Sequence, residues 1–397
     1  KPRATFDECM QQIYEDLDKA DELLPLDFED ISNASQIPAK YQSLGVNLTD
    51  YNHVFGEKFR LRMTKRISQA IRAKAALLAA SPAFNDGNTA KWEQAANHAG
   101  NVIQQKGGIS GVDPQGALFY TSANVNKMES GRNIPEILWR VDRGDPSSSL
   151  EADHFPPTLF GRGRVNPTQN LVDAFPMANG YPISEGASGY NANNPYENRD
   201  PRLTNYILIN GGIAGVNNTA INTTLNSPTN DGLNKVETST RTGYYMRKLL
   251  RQDVNLNPSN VSGQYHVTQR LRMTEIYLAY AEAANEAWGP TGTGTFTFSA
   301  YDIIKAIRIR AGVGTNNGDP YLEQIKNNKD QMRQLIRNER RLELCFEGFR
   351  FWDLRRWNEN LTIPARGMSI SNNTYDIITV ENRVFEPFMQ YGPIPYN

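Results

Sequence analysis

The sequence predicts a mainly α-helical protein: a tetratricopeptide-like α/α helical scaffold with a long loop-rich insertion containing short strands. Three observations predict it. Apolar residues recur at three- and four-residue steps toward both ends of the chain, Ala crowds the faces where those helices would meet, and Gly, Pro, Ser, Thr and Asn break up the middle. A chain of 397 residues is long enough for a sizeable core, and 10% aromatic residues is too rich for disorder.

The first helix is expected from Phe6 to Leu24, where Phe6, Met10, Ile13, Leu17, Ala20 and Leu24 share one face and Pro25 stops the run. A second is expected from about Leu61 to Ala80, ended by Pro82, and a third from Lys91 to Gln105 with Trp92, Ala95, Ala96, Ala99 and Val102 together. Small residues before a turn and an aromatic opening the next helix fit a tetratricopeptide-like pair, although no exact repeat is visible. Residues 1–106 are therefore read as helical scaffold.

Residues 107–267 change character and are read as a loop-rich, ligand-binding insertion. Short apolar runs such as Ile137 to Val141 and Tyr206 to Ile209 predict brief strands. Of 40 Asn residues in the chain, 15 fall between Tyr190 and Asn260, which favours turns and also offers amides to a hydroxylated ligand. Helical periodicity returns over residues 268–358, with helices expected at Thr268 to Trp288, Ala300 to Ala311, Lys329 to Glu347 and Phe351 to Trp357. Residues 359–397 read as loops and short strands. The chain closes on Gly392 to Asn397 without a helix cap or closing strand, and both ends are read as cut.

Composition excludes several function classes. Lys plus Arg number 42 against 43 Asp plus Glu, so no net charge draws the chain to nucleic acid or to an anionic membrane. No run of 18 apolar residues exists to cross a bilayer. Cys9 and Cys345 are too isolated for a disulfide framework or a CxxC metal site, and the four His residues form no zinc-ligand pair, so no metal and no cofactor is expected. Residues 316–319 lack the calcium-loop pattern, Gly289 to Thr295 lacks the phosphate-binding lysine, and Gly-x-Ser-x-Gly is absent.

Glu339, Glu343 and Glu347 share one helical face and could be read as an acid and base set, as in a glycosidase. The surrounding Arg337, Arg340, Arg341, Arg350, Arg355 and Arg356 favour a helix held by ion pairs instead. Rings in loops have no such structural default. Tyr190, Tyr196, Tyr265, Phe155 and Trp288 are the candidates to stack on the CH face of a sugar, and Arg162, Asn193 and Asn194 the candidates to bind its hydroxyls.

Three blocks in order, Thr268 to Trp288, Ile307-Arg308-Ile309-Arg310-Ala311-Gly312-Val313 and Ile336 to Trp357, carry a resemblance. The last contains Asn338-Glu339-Arg340-Arg341 and Phe346-Glu347-Gly348-Phe349-Arg350-Phe351-Trp352-Asp353-Leu354-Arg355-Arg356-Trp357. They closely resemble the C-terminal half of SusD/RagB-type outer-membrane lipoproteins of Bacteroidetes. Earlier segments agree, including Asp16 to Ala20 with Leu23-Leu24-Pro25, and Asn166 to Gly180. Such proteins begin with a lipid-anchored cysteine and a long N-terminal helical segment, and this chain is read as a piece that starts after both.

The resemblance implies a helical scaffold held at the outer-membrane cell surface by a lipid anchor and seated on a SusC-like TonB-dependent transporter, with the irregular region capturing ligand. It implies that Glu339, Arg340, Glu343, Arg350 and Asp353 fix helices to each other. The expected function is non-catalytic capture of glycans (oligosaccharides) for that transporter. Alternatives are a RagB-type peptide-binding lipoprotein of the same uptake system and a protein-binding tetratricopeptide scaffold.

Overall fold

The first long helix, Phe6–Leu23, is started by Thr5, whose hydroxyl accepts from the Glu8 backbone N–H while the Glu8 carboxylate accepts from the Thr5 backbone N–H. This comes from a computed structural model that describes residues 3–389; the closing stretch Gly392 to Asn397 lies outside the described residues. The next long helices, Lys65–Ala80 and Ala90–Gln105, pack on each other, and Met273–Trp288 packs on both. Ala70, Ala73, Ala95, Ala96, Ala99, Ala281, Ala283 and Ala284 are all buried in the shared core, so these backbones approach closely, as the small residues predict. Ala300–Ala311 and Lys329–Glu343 complete this body.

The sequence-expected helices differ from the observed ones in three places. Residues 269–272 are a strand, not the first turn of a helix, because Gln269–Arg272 pairs antiparallel with Ile137–Arg140. The helix expected to reach Glu347 ends at Glu343, and positive φ angles at Phe346 and Gly348 turn the chain into the short helix Phe349–Arg356. Helices at Leu48–Phe55 and Pro320–Ile325 went unread, being too short to show a period. The final described segment is a hairpin of Ala365–Ser371 with Thr374–Glu381.

The irregular middle contains only brief strand pairs, such as Ile207–Leu208 with Tyr245–Met246. It is joined to the helices by buried charges. The Arg202 guanidinium meets Asp200 at 2.6 Å, Glu339 at 2.8 Å and Glu343 at 3.0 Å. Arg308 meets Glu339 at 2.8 Å, Arg310 meets Glu343 at 2.9 Å, and Arg272 bridges Glu136 at 2.6 Å and Glu347 at 2.8 Å. Lys248 donates to Glu347 at 2.6 Å and to the Glu343 carbonyl at 2.7 Å. A second group links Arg340, Asp353, Arg356 and Glu282.

The glutamates of this helix are therefore ion-paired, but their partners come from residues 202–310 rather than from the neighbouring arginines. Arg350 departs from its implied role. It is exposed and makes no ion pair among the described residues, whereas Glu339, Arg340, Glu343 and Asp353 do join elements. Cys9 and Cys345 are both free thiols.

Candidate functional site

Of the residues singled out in sequence, four share one segment. Tyr190, Asn193, Asn194 and Tyr196 lie on the surface loop that precedes Arg199, whose guanidinium sits 5.4 Å from the Tyr190 ring centre. Asn193 and Asn194 are exposed; the Asn194 amide donates to Glu197 at 2.5 Å. Tyr196 is half-buried, with its edge against Tyr244 and Tyr375 and its hydroxyl 3.0 Å from that of Tyr244. Burial pushes the Tyr196 phenol well above its ordinary range, so it stays a neutral hydroxyl.

The other four lie apart on other elements. Phe155 is a correction: it is only 2% exposed and packs with Met246 and Leu250, so its ring offers no face to a ligand. Tyr265 is half-buried, and Arg143 covers its ring at 4.2 Å. Trp288 ends its helix half-buried, against the backbone of Gly292 and Gly294. Arg162 is exposed and shares Asp153 with Arg164, at 3.3 and 3.2 Å.

Within the insertion, a hollow of about 510 Å³ opens where residues 118–122, Asn205, 215–218 and 247–253 converge. Its position follows from the buried charges: Asn205 is on the short helix Arg202–Tyr206 that begins at Arg202, and Arg247 precedes Lys248. Leu118, Val216 and Leu250 supply apolar wall. The side chains of Asn205, Asn218 and Ser122 form no hydrogen bond among the described residues, so their donors and acceptors are unspent. Arg247 donates to the Ile213 carbonyl through one nitrogen only.

Tyr120 is buried beside them and donates to the Asn205 carbonyl at 3.5 Å; burial pushes its phenol well up, leaving a neutral hydroxyl. Among the described residues one carboxylate lines the hollow, that of Asp253. Arg251 grips it at 2.8 and 2.7 Å and holds its pKa below the ordinary carboxylate range. Among the described residues, two carboxylates facing one cleft, as acid and base glycoside chemistry requires, do not line this hollow.

Sequence reasoning missed Ser122, Asn205, Asn218 and Arg247 as a set. They are brought together from four distant segments, and the only local signal was the Asn-rich stretch that contains Asn205 and Asn218. No described helix is long and apolar enough to cross a membrane.

Comparison with known proteins places these features in a family context. A family model described as "SusD family" matches residues 136–397. SusD-like protein P38 of Formosa agariphila is 32% identical over 101 residues, which cover 25% of this chain and 19% of that protein; the match spans about a fifth of the curated relative. Among solved structures, a SusD-like protein of Bacteroides fragilis is similar with a TM-score of 0.67 at 22% identity, covering 98% of this chain and 68% of that one. A structure described as a SusD-like carbohydrate binding protein of the same organism gives 0.68 at 20% identity, covering 98% and 69%. Surface glycan-binding protein A of Bacteroides uniformis gives 0.52 at 16% identity, covering 99% and 66%. These structural likenesses establish the fold.

Proposed function

The chain belongs to the SusD family, and from that premise we propose that it is a non-catalytic nutrient-binding protein of the outer-membrane cell surface, which captures oligosaccharides and delivers them to a SusC-like TonB-dependent transporter. One observation carries the binding half of this reading: the unspent amides of Asn205 and Asn218 and the Ser122 hydroxyl surround a hollow with apolar walls. Amides and hydroxyls both donate and accept, which matches the alternating needs of sugar hydroxyls, while Leu118, Val216 and Leu250 suit the CH faces. The lone carboxylate, already engaged by Arg251, favours holding a ligand over cleaving it. Relatives described as carbohydrate-binding and glycan-binding support the same ligand class.

Titration calorimetry with a panel of neutral oligosaccharides tests it. Wild-type protein is expected to bind at least one member, and Asn205→Ala with Asn218→Ala to weaken that binding about tenfold or more, since each loses a hydrogen bond of about 1 kcal/mol. Retention of oligopeptides and no saccharide would replace this reading with the RagB-type one. Delivery is tested by co-purification with the SusC-like transporter from outer membranes.

A further inference from the structure

A second hollow, of about 600 Å³, lies away from the insertion hollow, between residues 166–174, the outer side of the Lys329–Glu343 helix with its exit, and residues 360–366. Its charge is lopsided. Arg341, Arg350, Arg366 and Arg383 line it, against one carboxylate among the described residues, that of Asp173, which Arg366 already holds at 2.9 Å. Of the buried arginines elsewhere, Arg202, Arg272, Arg308, Arg310 and Arg356 each meet one or more carboxylates, while Arg199 is held by the carbonyls of Pro195, Val172 and Phe175. Arg341, Arg350 and Arg383 meet none within 4.0 Å among the described residues.

Arg341 spends one nitrogen on the Asn170 carbonyl at 2.6 Å. Arg350 and Arg383 stand exposed at the rim, and burial first, then their like charges, bring the half-buried Arg341 guanidinium down to about 10. The Asn338 amide oxygen and the Asn360 amide nitrogen, also on this wall, form no hydrogen bond among the described residues and are free to meet hydroxyls. Charges left unpaired in this way are stabilised by an anion that accepts from several guanidinium groups at once.

We propose that this hollow binds the carboxylate or sulfate group of an acidic oligosaccharide, with Arg341, Arg350 and Arg383 as its ligands. The inference rests on the capture reading and extends it from neutral to acidic glycans. Among its described lining residues the insertion hollow has no comparable excess of cations, so the acidic group is assigned to this hollow and not to that one.

The test is calorimetry on the 397-residue chain with a uronate-bearing oligosaccharide, a sulfated one, the neutral counterpart of each, and inorganic sulfate alone. The acidic members are expected to bind wild-type protein at least tenfold more tightly than their neutral counterparts, the uronate and sulfate arms showing which group is preferred. That preference is expected to fall to near parity in the Arg350→Gln, Arg383→Gln double variant, whose circular dichroism melting curve checks that it remains folded. Acidic and neutral members binding wild-type protein equally would overturn the inference and leave capture standing, as would a preference that survives in the double variant. Inorganic sulfate binding as tightly as the sulfated oligosaccharide would overturn the assignment to a saccharide. Binding of no oligosaccharide of either kind would overturn the capture reading, and this inference with it.

Discussion

Glu343 is fully buried and still ionised. Burial alone would push its carboxyl up, but Arg310, Arg202, Arg272 and Lys248 together bring it down to about 2. The linkage has a definite sign. A carboxylate with an ordinary value of 4.5 when unfolded and about 2 when folded contributes about 3 kcal/mol above pH 4.5, and that contribution is lost as pH falls toward 2. Glu339, Glu347 and Asp353 are lowered in the same sense, whereas burial raises Asp200 and Glu275, which act in the opposite one. The thermal midpoint is therefore expected to drop steeply between about pH 4.5 and 2; a flat profile there, measured by circular dichroism, would contradict the pairing. Replacing Glu343→Gln leaves Arg202 and Arg310 short of a counter-charge and is expected to cost about 3–5 kcal/mol in urea unfolding. The alternation of Glu and Arg pointed to ion pairs with the neighbouring arginines, whereas the glutamates pair with Arg202, Lys248, Arg272, Arg308 and Arg310. Which arginines pair was not legible, since Arg202 lies 141 residues from Glu343 and no local pattern spans that distance.

Among the elements, Gly100 shows where propensity yields to packing. In the middle of the Ala90–Gln105 helix a glycine costs about 1 kcal/mol against alanine, yet a Cβ there would overlap the Phe296 ring. The ring has little room to withdraw, being stacked 5.4 Å from Phe298 and edge-on 5.7 Å from Tyr280. Gly100→Ala is therefore expected to destabilise by about 1–2 kcal/mol despite its better helix propensity; a rise in the urea midpoint would show that Phe296 yields. The long helices were legible because each keeps one apolar face through several turns. The strand at Gln269–Arg272 was not, because four residues ending in Leu271 and Arg272 carry no period, and their state is decided by pairing with Ile137–Arg140.

Taken whole, the molecule places its candidate ligand hollow in the region with the least regular structure and ties that region down with its most buried charges. The resemblance in the last third gave the helical scaffold and the joining roles of Glu339, Arg340, Glu343 and Asp353 but not that of Arg350, while the hollow escaped sequence reading because its walls come from separate loops that meet only in the fold. Tyr190, Tyr196, Asn193 and Asn194 do share a loop, but Phe155 shows that a ring outside a helix can still be core, since Met246 and Leu250 close over it. Arg202 and Lys248, held by Glu339, Glu343 and Glu347, stand three residues and one residue from Asn205 and Arg247. The recess is thus preorganised. If the proposed capture holds, a sugar is expected to freeze little backbone on entering it, so free and loaded forms should superimpose, and the heat-capacity change on binding should reflect only the apolar surface dehydrated. By the same logic Glu343→Gln, which touches no ligand, should weaken saccharide affinity by letting those walls drift.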